Sequence, residues 1–444
     1  MEASESRDRR PRLAIISLYS YPLFRPEMES PFGGSEVRVS LLARGLAALG
    51  HLDVQVVVFD HEQPETELID GVTLRAWSGM ACPIPTRKPR GLAAGQAATQ
   101  AALHQATKLS VVSRAARLWR RWFRPEPSPD SIIARIGPET LVEKDVAFFR
   151  KLDADLYMMP GNSRVSAQLA TWCRVEGRPY VMLSGSDGDF HADYKNTPEA
   201  IGIYGLPGYL MNATIESASA HVVQNERQAE LLHASWQRQA TIVRNPADLK
   251  LEYPRADKPE DILWVGKSDW IKRPGLFLDL AERFPALSFR MLMTFSNKEI
   301  WEEIHRRAAA LKNVTLVDYT PFNEVEKHFA GARLFVNTSV FEGFPNAFLQ
   351  AAKYAIPIVS LVVDPGGMLQ RGCGASCGDD VSKLAAEVAS FTTNEERLRK
   401  ASETILDYVR TNHDKAVIAR QYQEVLSRTL ESQSKGSAAR RKAK

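Results

Sequence analysis

The sequence predicts an α/β chain made of two parallel-sheet domains, on three observations. Strand-like apolar runs alternate with helical patterns almost throughout, the order that βαβ units impose. At 444 residues the chain is long for a single core, and two domains are the natural division. Residues 333–357 spell out the repeating unit: an apolar run at 334–336, a loop, a helix, and a second apolar run from Ile356.

Taken in order, the elements begin with a strand at 13–18 and an aromatic, proline-bearing loop at 19–32. Gly33, Gly34 and Ser35 then open a helix over about 36–49, which Gly50 can end in the left-handed conformation. Strands follow at 54–59, 155–159, 180–183 and 220–223. A second domain is expected after Asn245 and Pro246, with strands at 261–265, 289–293, 314–317, 334–336 and 358–363. One helix starts near Pro274, another covers 394–409, and Asp414 can cap a last one running to about Glu431. The expected division is a first domain over 12–246 with a basic insertion at about 80–135, a second over 247–412, a terminal helix over 413–432, and disordered tails at 1–11 and 433–444.

The bulk properties exclude several classes. An apolar fraction of 44% and a charged fraction of 25% are those of an ordinary globular chain. No apolar stretch approaches the ~20 residues that span a bilayer. The first twelve residues are charged and lack the apolar core of a signal peptide. Cys82, Cys173, Cys373 and Cys377 are too scattered for a disulfide framework, so all four are read as reduced and the chain as cytoplasmic.

The net charge of +4 conceals segregation: residues 71–125 carry ten Lys or Arg and no acid, and the last ten residues carry five more cations. Within 108–124, Arg114, Arg117, Arg121 and Arg124 share one helical face, while Val111, Ala115, Leu118 and Trp122 share another. Such a helix suits an anionic membrane surface as partner. It equally suits packing of the apolar face on the domain with the arginines in water, and both readings stand. No recognition motif accompanies the patch, so no nucleic-acid partner is expected.

Chemistry concentrates in two places. Glu342 and Gly343 lie in a loop after the 334–336 strand, and Pro345 suits the first turn of the next helix. The free N–H groups and dipole of a helix start make such a spot an anion site. Upstream, the 261–265 strand runs into Gly266, with Lys267 and Lys272 one short loop apart. Two fixed cations there suit a diphosphate leaving group, whose charge grows as its bond to the transferred group breaks.

These two segments resemble the nucleotide-sugar site of retaining glycosyltransferases of the GT-B fold, close to glycosyltransferase family 4. The resemblance covers most of 12–430 and is weakest across 80–135. It rests also on Asp153 to Tyr157, Tyr180 to Phe190, Val223 to Gln228 and Val243 to Pro246. It implies two Rossmann-like domains with an interdomain cleft, and a last helix crossing back to the first domain. It further implies sugar transfer from a UDP- or GDP-linked donor to a glycan or lipid-linked acceptor, with retention, no cofactor and no metal.

Residue by residue, the resemblance gives Glu342 contact with the donor sugar and Gln350 contact with the ribose. Gly266, Gly343, Phe344, Pro345 and Asn346 complete the donor pocket. Gly33 and Gly34 would let backbone amides approach the diphosphate, and Asp187 is the acceptor-side candidate. The chain departs from the family pattern at Lys267, where Arg is usual; at Gln350, where the second Glu of Glu-x7-Glu is usual; and at Ala355, where Gly is usual. Arg38 could meet a phosphate or be a solvated helix arginine. Asp187 could instead cap the segment after it, or pair with Asp189 as an Asp-x-Asp metal site. Two rival functions are a non-catalytic nucleotide-sugar binder and a nicotinamide-dependent oxidoreductase. The second lacks the Gly-x-Gly-x-x-Gly that should follow a strand.

Overall fold

The structure, a computed structural model, describes residues 9–28, 32–81, 143–202, 206–318, 320 and 322–442. They gather into two compact units. The first takes the described residues up to Val223, then 229–241 and those from Ala419 onward; the second takes 224–228 and 242–418. The basic helix at 108–124, nearly all of the expected insertion, and Cys82 lie outside the described residues.

The first unit holds strands β1 (Arg12–Ile16), β2 (Asp53–Asp60), β3 (Thr66–Ile69), β4 (Val72–Ala81), β5 (Leu156–Pro160), β6 (Tyr180–Leu183) and β7 (Ala220–Val223), and its last strand, β8 (Thr241–Ile242), ends on the first residue of the second unit's 242–418 segment. They form one sheet in the order β3-β4-β2-β1-β5-β6-β7-β8. β1 lies parallel between β2 and β5, with Leu13 opposite Val54 and Leu156. Leu13, Ala14, Ile15 and Ile16 are fully buried, which explains why β1 reads as a continuous apolar run rather than an alternating one. β3 and β4 form an antiparallel hairpin. Its two-residue turn, Asp70 and Gly71, has φ of 53° and 76°, the positive values that such turns require.

The second unit holds β9 (Asp261–Lys267), β10 (Phe289–Thr294), β11 (Val314–Val317), β12 (Ala332–Asn337), β13 (Ile358–Ser360) and β14 (Gly374–Ser376). Their order is β11-β10-β9-β12-β13-β14 and every pairing is parallel. One side chain cluster, including Trp264, Phe277 and Phe289, fills one part of the core; Phe335, Phe348 and Tyr354 anchor another. Gly374 is demanded by close approach: a Cβ there would sit 1.8 Å from the Ile358 carbonyl oxygen.

Several expectations need correction. The first strand ends at Ile16 rather than 18, because Leu18 and Tyr19 form a turn, closed by the Ser20 amide on the Ser17 carbonyl at 3.0 Å, that leads into a short Tyr21–Phe24 helix. The strand expected over 358–363 stops at Ser360. Pro345 is not inside its helix but at the N-cap of Asn346–Lys353, with ψ of 127°. The last helix spans Lys415–Lys442, well past Glu431, and its residues from Ala419 belong to the first unit, so the described part of 433–444 is helical. At the other end, the Arg9 guanidinium forks onto both oxygens of Asp155 at 2.8 and 2.9 Å, so the N-terminal tail is tied down at least from there. The three described cysteines are buried thiols, and burial pushes Cys377 up to about 11 and Cys373 up to about 12.

Candidate functional site

The second unit assembles its site from the loops that leave β9 and β12. Those strands are neighbours, so the loops at their carboxyl ends meet, the usual place for a ligand in an open parallel sheet. Glu342 joins the two: its Oε1 accepts from the Lys272 ammonium and, at 2.8 Å, from the Ser339 hydroxyl. The pair is partly shielded, with side-chain exposures of 22% for Lys272 and 17% for Glu342. A charge pair with that exposure still reaches solvent and can be shared with an incoming polar ligand.

A hydrogen-bonded relay fixes the Lys272 loop. The Trp264 indole donates to Thr338 Oγ1 at 2.9 Å, and Thr338 Oγ1 donates to the Lys272 carbonyl at 2.6 Å. The Lys272 amide donates to Asp269 Oδ1 at 2.9 Å, and the Val340 amide to the Ile271 carbonyl at 2.9 Å. Arg273 takes a left-handed φ of 46° and bonds the Thr338 carbonyl at 2.9 Å and Asp379 at 2.8 Å. Gly266 has a local reason too. A Cβ there would approach the Trp264 ring to 2.6 Å, so glycine leaves room for the indole that anchors the relay.

The helix that follows the Glu342 loop, Asn346–Lys353, begins beside Phe344 and Pro345, both buried. The Asn245 side-chain amide holds the Phe344 carbonyl at 3.3 Å, and the His413 ring packs on Phe344 with centroids 4.6 Å apart. Asn346 and Gln350 are partly exposed and four residues apart, hence on one helical face. Gly343 is partly exposed beside them. Lys267 ends β9 with its side chain exposed and no ion pair among the described residues. Lys272 and Glu342 are therefore brought into contact, whereas Lys267 and Gln350 border the same loops without touching that pair.

The first unit holds the remaining candidates. Gly33 is the N-cap of the Gly34–Leu49 helix, and its amide donates to the Glu36 carboxylate at 2.7 Å. Arg38, one turn on, is neither solvated nor offered to a ligand: it is 2% exposed, donating to the Ser184 carbonyl and the Tyr422 hydroxyl, each at 2.5 Å. It thereby ties that helix to the turn after β6. Asp187 is partly exposed at the start of the short Asp187–Phe190 turn of helix, whose N-cap is Ser186, so Asp187 is not the cap. Asp189 has a structural task. Fully buried, it accepts from the Gly185 amide at 2.6 Å, the Ser186 amide at 3.0 Å and the Asn162 amide group at 3.3 Å. With its oxygens so occupied, the Asp-x-Asp metal reading loses its second ligand.

Sequence reading missed Ser339 and Thr338. The signal was there: Asn337 ends β12 and Thr338 and Ser339 follow it directly, and short polar side chains at a strand end favour turns closed by their own hydrogen bonds. Asn337 Oδ1 does accept from the Ser339 amide at 3.2 Å.

Two Rossmann-like units of parallel sheet, each with loops gathered at the carboxyl strand ends, define the chain as a member of the GT-B fold class. Residues 259–394 match the family described as "Glycosyl transferases group 1", a span lying within the second unit. Among solved structures, the chain resembles sucrose-phosphate synthase from Thermosynechococcus elongatus at 16% identity and a TM-score of 0.64, covering 95% of this chain and 100% of that one. It also resembles Anabaena HepE in complex with UDP and glucose, at 13% identity and a TM-score of 0.60 over 94% and 100% of the two chains. A third is the E. coli trehalose-6-phosphate structure bound with UDP-2-fluoro glucose, at 12% identity and a TM-score of 0.59 over 94% and 99%. No curated protein matches the sequence significantly. Among the described residues, no helix is long and apolar enough to cross a membrane.

Proposed function

We propose that the chain is a glycosyltransferase that moves a sugar from a nucleoside-diphosphate donor, UDP- or GDP-linked, to a glycan or lipid-linked acceptor with retention of configuration. The observation that carries the reading is the contact of Lys272 with Glu342 inside the span matching glycosyl transferases group 1. In this reading Lys272 moves its hydrogen bonds from Glu342 toward the β-phosphate as negative charge grows there. Glu342, released and still oriented by Ser339, accepts from a donor-sugar hydroxyl. Lys267 and the helix start at 344–346 add positive potential to the same diphosphate. Gln350 offers the ribose one acceptor oxygen and no charge. The departing phosphate deprotonates the acceptor on the same face of the sugar, and Asp187 lies on the acceptor side. We place the chain in the cytoplasm, with the basic segment 108–124 as its contact with an anionic membrane surface where the acceptor is lipid-linked.

A thermal-shift screen against UDP-, GDP-, ADP- and TDP-sugars, with and without Mg²⁺, tests the donor site. One nucleotide class should raise the Tm without metal, and Lys272→Ala should abolish the rise. NMR of the product then reads the anomeric configuration. No shift with any nucleotide removes the donor reading, and strict dependence on Mg²⁺ contradicts the metal-free mechanism. Gln350 and Lys267 favour a second reading, a nucleotide-sugar binder without turnover. A large gain of turnover in Gln350→Glu would identify a decayed site.

A further inference from the structure

We propose that Trp270 and Phe341 form a stacking platform for a saccharide ring of the acceptor, set at the rim of the Lys272–Glu342 pair. The inference rests on the glycosyl-transfer reading and names the acceptor subsite within it. Among the described residues, these two are the Trp and Phe side chains exposed to water, at 65% and 42%, whereas the other described Trp, Tyr and Phe rings are buried or half-buried. They are not scattered. They lie in the two loops that carry the site, Trp270 two residues before Lys272 and Phe341 beside Glu342, and their rings meet edge to face with centroids 5.9 Å apart.

The pair is held in place from below. The Val340 amide to Ile271 carbonyl bond clips the two loops together one residue from each ring, and the Trp264–Thr338–Lys272 relay fixes the loop after it. A rigid, exposed aromatic surface costs solvation and little entropy to use, which suits a ligand with an apolar face. Its chemistry follows from the neighbours. Asp269 precedes Trp270 and Lys272 follows it by two residues, while Glu342 follows Phe341, so the two loops that carry the rings also carry two carboxylates and an ammonium. A pyranose fits this composition: its C–H face packs on the negative ring faces, and its hydroxyls reach the charged groups. An anionic bilayer fits poorly, since Asp269 and Glu342 would meet its headgroups.

Trp270→Ala, Phe341→Ala and Trp270→Phe in the full chain, with Tm as a folding control, provide the test. Binding of each protein to an array of neutral and acidic oligosaccharides is measured with UDP present, alongside the UDP-induced Tm shift. The expected result is saccharide binding that falls roughly tenfold in either alanine variant, persists largely in Trp270→Phe, and leaves the UDP shift unchanged. Saccharide binding indifferent to both alanine variants, or none on the array, overturns the platform. So does loss of the UDP shift in either alanine variant, which would assign the rings to the donor. Binding to phosphatidylglycerol vesicles that the alanine variants abolish would assign them to a membrane and overturn it equally. If no nucleotide binds but saccharide binding depends on Trp270, the donor reading fails and the platform stands.

Discussion

Lys272 stands where charge and geometry converge, so its removal is the sharpest single-residue test. The ammonium belongs to a loop fixed by backbone bonds to Asp269 and Thr338, and those survive truncation of the side chain. Lys272→Ala should therefore lower turnover about 10²- to 10³-fold, the cost of losing one preorganised charge donor, while the Tm stays within a few degrees. Steady-state kinetics with the donor found by thermal shift checks it; turnover near wild type would move the leaving-group role elsewhere. Which residues were legible in the sequence follows from how they act. Lys272 and Glu342 showed through residue type and position after a strand. Ser339 and Thr338 act through the path of a loop, which spacing alone does not reveal. Arg38 misled because a helical arginine is usually solvated, whereas Tyr422, almost four hundred residues away along the chain, comes to meet it.

Elements whose ends carry a conformational demand make the next tests. Ala355, after the Asn346–Lys353 helix, holds a φ of 53°, a conformation that costs a side chain about 1 kcal/mol. Ala355→Gly should stabilise the second unit by up to that amount in urea unfolding; a loss of stability would mean the Ala355 methyl packs usefully. Gly374→Ala should do the reverse and cost about 2 kcal/mol or more, since its Cβ would collide with the Ile358 carbonyl and part β14 from β13. Hydrogen exchange should show that loss first in Ile358–Ser360. The central strands were legible because burial on both faces writes them as apolar runs. The β3–β4 hairpin was passed over although Asp70 and Gly71 signal it, because β3 is half exposed and reads Thr-Glu-Leu-Ile without a clear period. The extent of the last helix was hidden by its polar end, where only helix propensity speaks.

At the scale of the molecule, acid should weaken both units through one fully buried histidine in each. Burial lowers His221, in the first unit, and His413, in the second, to about 4. His221 Nε2 faces the Ile215 carbonyl at 2.9 Å and His413 Nδ1 the Asn245 carbonyl at 2.8 Å, so each neutral ring donates one bond. In the unfolded chain both titrate near ~6.5. Between that value and about 4 the unfolded state holds a proton that the folded state lacks, so stability falls as pH falls through this window. Above it these groups contribute no slope, and below it both states are protonated. Each histidine contributes about 1.4 kcal/mol per pH unit inside the window. His61 and His328, lowered chiefly by burial, add in the same direction. Asp145 and Asp364, raised by burial, take up protons on the folded side first and blunt the loss at its acid end. Asp155 and Asp248 are lowered on balance: burial opposes the shift, while hydrogen bonds and nearby cations, among them Arg9 on Asp155 and Lys415 on Asp248, more than offset it. Their contribution is lost only below the usual carboxylate range. Urea unfolding at pH 7 and pH 5, with hydrogen exchange to assign each transition, should show both units weaker at pH 5. His413→Gln should remove about one proton from the slope of the second unit and leave the first unit's slope intact. Equal stability at the two pH values would mean that water reaches both rings, and a slope unchanged by His413→Gln would place the titrating group elsewhere in the second unit.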